Sequence, residues 1–169
     1  IQLHVMKFIK EDEKEKRFWE IVKLHKDEKI LVYLYRKKGD RGVDGLCQEA
    51  LSRGYQAALF HGDMTAGERM EIIEQYRKGQ VKLIFATNAF GMGIDIPDIR
   101  VVIHFMIPES AEQYYQEIGR AARDGNGANA YLLYSNKNIE VKRTYFIDRS
   151  FPSKEKLSET YRNIGKRSG

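Results

Sequence analysis

The residues best suited to chemistry lie in one short segment, where Gln116, Arg120 and Arg123 are three and four positions apart. In a helix, this spacing places the three side chains on neighbouring faces. Two guanidiniums one turn apart can reach a single chain of phosphates, where their charge stabilises the oxygens of a γ-phosphoryl group during transfer. The alternative is a surface helix in which the arginines pair with Glu117 or Asp124, and spacing alone favours that alternative.

A second candidate is the polar turn that follows the apolar run at residues 83–86. Ligands of open α/β sheets bind at the carboxyl ends of strands. Gly91 and Gly93 would allow a close approach of the backbone to a ligand there. Thr87 could offer its hydroxyl and amide to a phosphate, and Asp95 could accept from a ribose hydroxyl. Taken alone, the two glycines could equally serve only to shape a turn.

A complete phosphate site is missing from the sequence. No G-x-x-x-x-G-K-[ST] loop occurs, because the pair Gly165-Lys166 lacks the first glycine and the final Ser or Thr of that motif. The acidic pair Asp27-Glu28 precedes an apolar run, whereas a magnesium-binding pair would follow one. The single cysteine, Cys47, excludes a multi-cysteine zinc site, and we expect no metal site in this chain. The chain alone therefore lacks the parts for efficient ATP hydrolysis.

The elements that must position these residues alternate along the chain. Short apolar runs and longer helical patterns follow one another, which is typical of β-α units around a largely parallel sheet. The expected strands are residues 3–9, 30–35, 56–60, 81–86, 101–106 and 130–134. The expected helices are residues 11–26, 44–53, 66–78 and 111–123, with 137–146 and 153–164 in the tail.

Local signals fix several helix ends. The residues from Thr65 to Glu68 and from Ser110 to Gln113 form expected capping boxes, in which a hydroxyl and a carboxylate or amide bind free amide hydrogens of the first turn. Gly54 and Gly79 follow predicted helices, at positions where a left-handed C-terminal cap is expected.

Length and composition fit one globular domain with a single core. Of the 169 residues, 42% are hydrophobic and 31% are charged. The excess of positive charge lies in residues 135–169, which hold 9 basic and 4 acidic residues. Such a tail can attract phosphate backbones, although a solvated helical face is the favoured interpretation. We expect a three-layer α/β domain over residues 1–134 and a short, basic helical extension over residues 135–169.

The sequence contains no apolar stretch of membrane-spanning length and no signal-peptide pattern at its start. We therefore expect an intracellular protein without a membrane partner, located in the cytoplasm or nucleoid if the source is bacterial. Because the chain begins at Ile1 rather than Met, we treat it as a processed product or a fragment of a longer protein.

Two segments together resemble a known family. The sequence ATNAFGMGIDIPDIRVVIHF, followed by QYYQEIGRAARDG, is similar to motifs V and VI of superfamily-two helicases and most closely to the RecQ family of DNA helicases. DEAD-box RNA helicases normally show H-R-x-G-R at motif VI, whereas Gln116 and Glu117 precede the Ile-Gly-Arg here. Weaker similarity extends over residues 2–157. The resemblance implies a second RecA-like motor lobe, with ATP and Mg²⁺ bound mainly by an upstream lobe.

The resemblance also implies roles in nucleotide binding. Arg123 would be the arginine finger, and Arg120 would contact the γ-phosphate or the other lobe. Gln116 would couple the nucleotide to the lobes, and Asp95 would contact the ribose.

Further roles implied by the resemblance concern the tracking DNA strand. The expected DNA contacts are Thr87, Asn88 and the backbone near Phe90 and Gly91. His61, with the following helix that carries Arg69, resembles a loop of the family that grips a backbone phosphate. For His61, a hydrogen bond at the entry of that helix is an equally good interpretation.

Two positions depart from the family pattern. Motif VI usually reads G-R-A-G-R-D-G, and Ala122 replaces the middle glycine; we expect the extra methyl group to favour a helix without moving Arg123. Residues 36–42 are basic and depart from the usual Ser/Thr-Arg-Lys stretch, so they are either a DNA-contacting loop or a solvated one.

His104 lies in an expected strand and is interpreted as a hydrogen-bonded strand histidine rather than a ligand.

The sequence thus predicts the C-terminal motor lobe of an ATP-dependent, RecQ-like DNA helicase. Its partners would be single-stranded or duplex DNA and the upstream lobe, and 3′ to 5′ translocation follows from the resemblance alone. The lobe is expected to be inactive as an ATPase without its upstream partner. Two alternatives stay open: a lobe of an RNA helicase or remodelling ATPase, and a binding module for nucleic acid or protein that has no catalytic lobe.

Overall fold

The computed structural model describes residues 1–91 and 93–142. The elements are β1 (Gln2–Phe8), α1 (Glu11–Leu24), β2 (Lys29–Tyr33), α2 (Val43–Ser52), β3 (Ala57–Phe60), α3 (Ala66–Arg77), β4 (Leu83–Ala86), β5 (Ile99–His104), α4 (Ala111–Ile118), β6 (Asn129–Ser135) and α5 (Asn136–Lys142). All six expected strands and the first four expected helices are present. The part of the expected helix 137–146 beyond residue 142, and the helix 153–164, lie outside the described residues.

The six strands form one sheet in the order β1-β6-β5-β2-β4-β3, and every neighbouring pair is parallel. All four residues of β4 are buried, as are the last four residues of β2. Strands that are buried on both faces require helices on both sides of the sheet, because successive apolar side chains point to opposite faces and all must be covered. The expected parallel, three-layer architecture is therefore confirmed.

Successive residues of the central strand β2 point into two separate hydrophobic cores. Ile30 belongs to the core that includes Phe18 of α1 and Leu46 of α2. Leu31 belongs to the other core, which includes Tyr76 of α3 and Ile118 of α4. The alternation of side chains along a strand thus places α1 and α2 on one face of the sheet and α3 and α4 on the other.

The two expected capping boxes differ in the structure. At the start of α3, the Thr65 side chain accepts from the Glu68 amide, and the Glu68 carboxylate accepts from the Thr65 amide. At the start of α4, Ser110 accepts from the Gln113 amide at 3.1 Å, but the Gln113 side chain donates to Glu117 instead of returning to Ser110. The first box is complete, whereas only half of the second one forms.

One helix end was predicted wrongly. Gly54 and Gly79 have φ angles of +84° and +73° after α2 and α3, which confirms the expected left-handed caps. Helix α4, however, ends at Ile118 instead of continuing to residue 123. Arg120 and Arg123 therefore lie beyond the helix, not on its surface.

The backbone after α4 is held by a bond to the sheet. The amides of Arg120 and Ala121 donate to carbonyls three residues earlier, and the Ala122 amide then donates to the Ile99 carbonyl of β5 at 3.1 Å. Ala122 has a φ angle of +57°, so the expectation that it stands within a helix is wrong. A left-handed conformation costs a non-glycine residue about 1–2 kcal/mol, which explains why glycine suits this position in motif VI.

Helix α5 begins directly after β6, and its first turn is tied to the rest of the lobe. The buried Lys14 ammonium donates to the Phe105 carbonyl at 3.0 Å and to Asn138 Oδ1 at 2.9 Å. Burial lowers the pKa of Lys14, while its ion pair with Glu11 opposes part of that change. The division of the chain at residue 134 stays a prediction.

Candidate nucleotide and nucleic-acid site

The parallel sheet brings several candidate loops to its carboxyl edge. His61 follows β3 and Thr87 follows β4, so both begin loops at that edge. We call residues 87–91 and 93–98 the β4–β5 loop, and residues 119–125 the arginine segment. The arginine segment contacts the β4–β5 loop through both of its candidate arginines, so the two groups of predicted nucleotide contacts lie side by side.

The first link between these segments is an exposed ion pair. Arg123 Nη1 donates to Asp95 Oδ1 at 3.1 Å, and Arg123 Nε donates to the Gly119 carbonyl at 3.4 Å. The Arg123 side chain is 39% exposed and the Asp95 side chain is 76% exposed. An ion pair this open to water is weak, so a phosphate can compete for the guanidinium.

The second link is a bond from Arg120 to the loop backbone. Arg120 Nη1 donates to the Gly91 carbonyl at 2.8 Å. Arg120 Nε is buried and has no hydrogen-bond partner within residues 1–91 and 93–142. An unpaired buried donor is costly, and the guanidinium therefore keeps capacity for a further acceptor such as a phosphate oxygen.

In the alternative interpretation the two arginines pair with Glu117 or Asp124, but the structure gives both of these acids other partners. Glu117 Oε2 lies 2.7 Å from His104 Nε2, and Asp124 accepts two hydrogen bonds from Arg100. These hydrogen bonds hold the pKa of the Asp124 carboxyl well below its usual value. Arg123 pairs with Asp95 instead, and the acids expected to neutralise the arginines are bound elsewhere.

Two glycines let the loop adopt its path beside Arg120. A Cβ atom at Gly91 would lie 3.4 Å from Arg120 Nη2 and 3.4 Å from the Asn88 carbonyl oxygen. Gly93 has a φ angle of +79°, which other residues rarely adopt. The backbone conformation thus favours glycine at position 93, whereas a Cβ at Gly91 would only bring the loop into close contact with Arg120 and Asn88.

The candidate strand contacts Thr87 and Phe90 use most of their backbone groups within the lobe. The Thr87 amide donates to the Phe60 carbonyl at 3.1 Å, and its hydroxyl accepts from the Ala89 amide at 3.3 Å. The Phe90 ring is buried and packs edge-on against Phe60 and Tyr76. In this structure these groups hold the loop in place.

Two other candidates are open to solvent. The Asn88 and Gln116 side chains are exposed, and neither has a hydrogen bond to the described residues. Gln116 lies on the last turn of α4, four residues before Arg120. Both amides are therefore free to bind an external group.

His61 and Arg69 lie together at the β3 end of the same edge. His61 Nδ1 is buried without a hydrogen-bond partner among the described residues, and the Arg69 side chain also has none there. The neighbouring Asp63 accepts from Lys37 at 2.6 Å, and this ion pair lowers the pKa of Asp63. Lys37 belongs to the basic loop at residues 36–42, so that loop adjoins the predicted phosphate-gripping region.

Sequence reasoning missed a buried polar cluster behind the arginine segment. Glu117 is 6% exposed and His104 is 2% exposed, and Gln113 Nε2 donates to the second carboxylate oxygen of Glu117 at 2.9 Å. The interpretation of His104 as a hydrogen-bonded strand histidine is confirmed. The available signal was the position of Glu117, which directly precedes the apolar Ile118 on the side of α4 that faces the sheet.

Comparisons with known proteins agree with this architecture. The family model of the helicase conserved C-terminal domain matches residues 13–125. The ATP-dependent DNA helicase RecQ of Bacillus subtilis is 37% identical over 145 residues, which cover 85% of this chain and 24% of that protein. The ATP-dependent DNA helicase Q-like 4B of Arabidopsis thaliana is 49% identical over 90 residues, which cover 53% of this chain and 8% of that protein.

A solved structure shows the same fold. A DEAD box protein from the hyperthermophile Methanococcus jannaschii superposes with a TM-score of 0.71 at 25% identity, covering 89% of this chain and 39% of that chain. This chain therefore spans only part of the proteins that it matches.

The parallel sheet between two helical layers, with the arginine segment against the β4–β5 loop, is the second RecA-like lobe of the superfamily-two class. The chain belongs to the helicase conserved C-terminal domain family, and its sequence relatives place it in the RecQ group. None of the helices in the described ranges is long and apolar enough to cross a membrane.

Proposed function

We propose that this chain is the C-terminal motor lobe of an ATP-dependent, RecQ-like DNA helicase. The observation that carries the proposal is that Arg120 and Arg123 both bind one loop, through the Gly91 carbonyl and the Asp95 carboxylate. That loop lies at the carboxyl edge of the sheet, where the second lobe would face a nucleotide held by the first. Relatives named as ATP-dependent DNA helicases support the substrate assignment.

In this proposal the arginine segment serves the γ-phosphate of ATP. Arg123 is the arginine finger, because its guanidinium is partly exposed and its carboxylate partner is weakly held. Arg120 provides a second charge beside the loop, and the released Asp95 accepts from the ribose. When bound between the lobes, ATP and Mg²⁺ supply the transferable phosphoryl group and its metal counter-charge.

The upstream lobe would hold most of the nucleotide. Within residues 1–91 and 93–142, no group of three or more His, Cys, Asp or Glu side chains is placed to hold a metal ion. We accordingly assign Mg²⁺ to the upstream lobe. Gln116, exposed at the end of α4, would couple the state of the nucleotide to the contacts between the lobes.

The tracking strand would cross the same edge. Among the predicted strand contacts, the exposed Asn88 and the guanidinium of Arg69, which has no hydrogen bond within residues 1–91 and 93–142, would be open to backbone phosphates. Thr87, Phe90 and His61 lie in the loops at the same edge and would be part of this DNA-binding surface. Contacts with the backbone ignore sequence, as translocation requires, and we propose a 3′ to 5′ direction.

The test is DNA-stimulated ATP hydrolysis by the longer polypeptide that carries this lobe, with Arg123→Ala. Loss of an arginine finger should lower kcat by about a thousandfold or more, with a much smaller change in nucleotide affinity. Arg17→Ala is a matched control, because Arg17 is 45% exposed and forms a 2.9 Å ion pair with Glu20 on the far helical layer. Equal turnover in both variants would refute the role of Arg123.

One alternative has structural support: the lobe of an RNA helicase. The fold resemblance to a DEAD box protein favours it, whereas Gln116 and Glu117 at motif VI do not. Unwinding of matched DNA and RNA duplexes separates the two, and activity on RNA alone would overturn the RecQ-like assignment. A longer protein that binds nucleic acid but never hydrolyses ATP would indicate a binding module.

A further inference from the structure

A buried tyrosine holds the β4–β5 loop from inside the lobe. Tyr33 ends strand β2, is 5% exposed, and donates its hydroxyl to the Phe90 carbonyl at 3.0 Å. Burial raises the pKa of Tyr33 far above its ordinary value, and the nearby charge of Arg120 opposes only part of that rise. The hydroxyl therefore keeps its proton and stays a donor.

Two consecutive carbonyls of the loop are thus bound from different directions. Tyr33 binds the carbonyl of Phe90, and Arg120 binds the carbonyl of Gly91 at 2.8 Å. The two carbonyls belong to adjacent peptide units that meet at the Cα atom of Gly91, so a displacement of this part of the loop would disturb both bonds. The Arg120 guanidinium and the Tyr33 hydroxyl are therefore connected through two adjacent peptide units of the loop.

A second route connects the same two residues. The Tyr33 ring stacks on His104, with centroids 5.2 Å apart and an interplanar angle of 20°. His104 binds Glu117, which lies three residues before Arg120 in the chain. Tyr33 and Arg120 are therefore linked by two routes, one through the β4–β5 loop and one through His104 and Glu117.

The residues on these two routes cannot move separately without a loss of stability. His104, Glu117 and Tyr33 are all buried, so breaking either polar contact leaves an unpaired polar group away from water. A displacement of the β4–β5 loop should consequently displace the arginine segment as well.

We propose that Tyr33 is a positioning residue that makes the β4–β5 loop and the arginine segment respond to ligands as one unit. The inference rests on the proposed function, in which the loop contacts DNA and the segment contacts the nucleotide. DNA bound at the loop would then fix Arg120 in place for the nucleotide, and loss of the Tyr33 hydroxyl would disconnect the two.

The test variant is Tyr33→Phe, which removes the hydroxyl and keeps the stacked ring. Tyr76→Phe is the matched control, because Tyr76 is fully buried in the same core and its ring centroid lies 6.4 Å from that of Phe90. The Tyr76 hydroxyl has no hydrogen-bond partner within the described ranges. The control therefore removes a buried hydroxyl without removing a bond to the loop.

The first measurement is amide hydrogen exchange on this 169-residue chain. The Ile94 amide reports on the loop through its bond to the Gly91 carbonyl, and the Ala121 and Ala122 amides report on the arginine segment. Tyr33→Phe should accelerate exchange at all three by about fivefold, as expected for the loss of one hydrogen bond. Acceleration at Ile94 alone, or an equal effect of Tyr76→Phe, would overturn the inference.

The second measurement is ATP hydrolysis by the longer polypeptide with and without DNA. Tyr33→Phe should lower kcat at saturating DNA by about fivefold, leaving the DNA-independent rate and the KM for ATP within about twofold, since only the coupling is lost. Unchanged DNA stimulation would overturn the role of Tyr33. Absence of DNA-stimulated turnover in the unsubstituted protein would instead overturn the proposed function.

Discussion

Arg123 and Asp95 are 28 positions apart in sequence, yet Arg123 Nη1 lies 3.1 Å from Asp95 Oδ1. Each of these residues is a candidate contact for a different part of one nucleotide, the γ-phosphate and the ribose. In the structure they neutralise each other instead. A nucleotide that binds both would replace one exposed ion pair by two separate contacts, so the exchange costs the protein little.

Asp95→Asn should hardly change the stability of the lobe. The pair is exposed, and we expect a change of less than about 0.5 kcal/mol in the free energy of unfolding. Asp98→Asn is the comparison, because Lys29 contacts Asp98 at 2.7 Å and is only 10% exposed. It should cost about 1 kcal/mol, since the mostly buried Lys29 ammonium loses its charged partner and keeps the Arg77 carbonyl, 2.9 Å away. Urea unfolding measures both, and equal losses would contradict the assignment of Asp95 to a labile pair.

Ala122→Gly should stabilise the lobe. Its φ angle of +57° costs alanine about 1–2 kcal/mol, and the greater freedom of glycine in the unfolded chain offsets about 0.4–1 kcal/mol of the relief. A net gain of about 0.5 kcal/mol is expected in urea unfolding. Ala111→Gly, at an exposed position in α4, should destabilise by up to about 1 kcal/mol. A loss of stability at both positions would show that the left-handed conformation is not strained.

His104 and Glu117 should be strongly coupled in stability. Glu117→Leu or His104→Phe alone leaves a buried polar group without its partner and should cost about 2–4 kcal/mol. The double variant removes both groups and should be more stable than the sum of the single effects predicts, by about 1 kcal/mol or more. Urea unfolding of the four proteins gives this coupling energy. Simple additivity would mean that the pair is not a unit.

The bond between Arg100 and Asp124 should make stability depend on acid pH. The hydrogen bonds from Arg100 lower the pKa of Asp124 in the folded lobe. Their stabilisation is complete above the unfolded-state pKa, which is about 4, and is lost as the pH falls through the lower folded-state value. The difference in unfolding free energy between the protein and Asp124→Asn should therefore be constant near pH 7 and shrink below about pH 4. A difference that grows on acidification would contradict this.

Much of the fold follows from local patterns, because each strand and helix is encoded in its own stretch of sequence. The hydroxyl at Thr65 and the glycines at Gly54 and Gly79 mark helix ends through bonds made within a few residues. The arginine segment was misassigned for the opposite reason. Its residues favour a helix, but the Ala122 amide binds the Ile99 carbonyl, a partner 23 positions away that no local pattern reveals.

The candidate site shows the same limit. Types and spacing made Arg120, Arg123, Gly91 and Asp95 candidates, and the resemblance to motifs V and VI selected them; the fold brings them together. They did not show that the Thr87 amide is already bound by the Phe60 carbonyl, because that pairing depends on the adjacency of β3 and β4. The chemical groups of the side chains are known from the sequence, whereas the hydrogen-bond partners of backbone groups depend on how the strands pair in the sheet.

The position of β1 has a consequence for how the lobe is made. Within the described residues its only neighbour in the sheet is β6, where Gln2 pairs with Asn129, so β1 cannot join the sheet until β6 has been synthesised. At about 5–20 residues per second, a ribosome needs on the order of 6–25 seconds to bridge that interval. During this time Met6 and Phe8, which pack against the core in the folded lobe, have no sheet to join. Synthesis therefore leaves β1 unpaired while the rest of the lobe emerges, and a chaperone bound to this strand would protect it until the sheet closes.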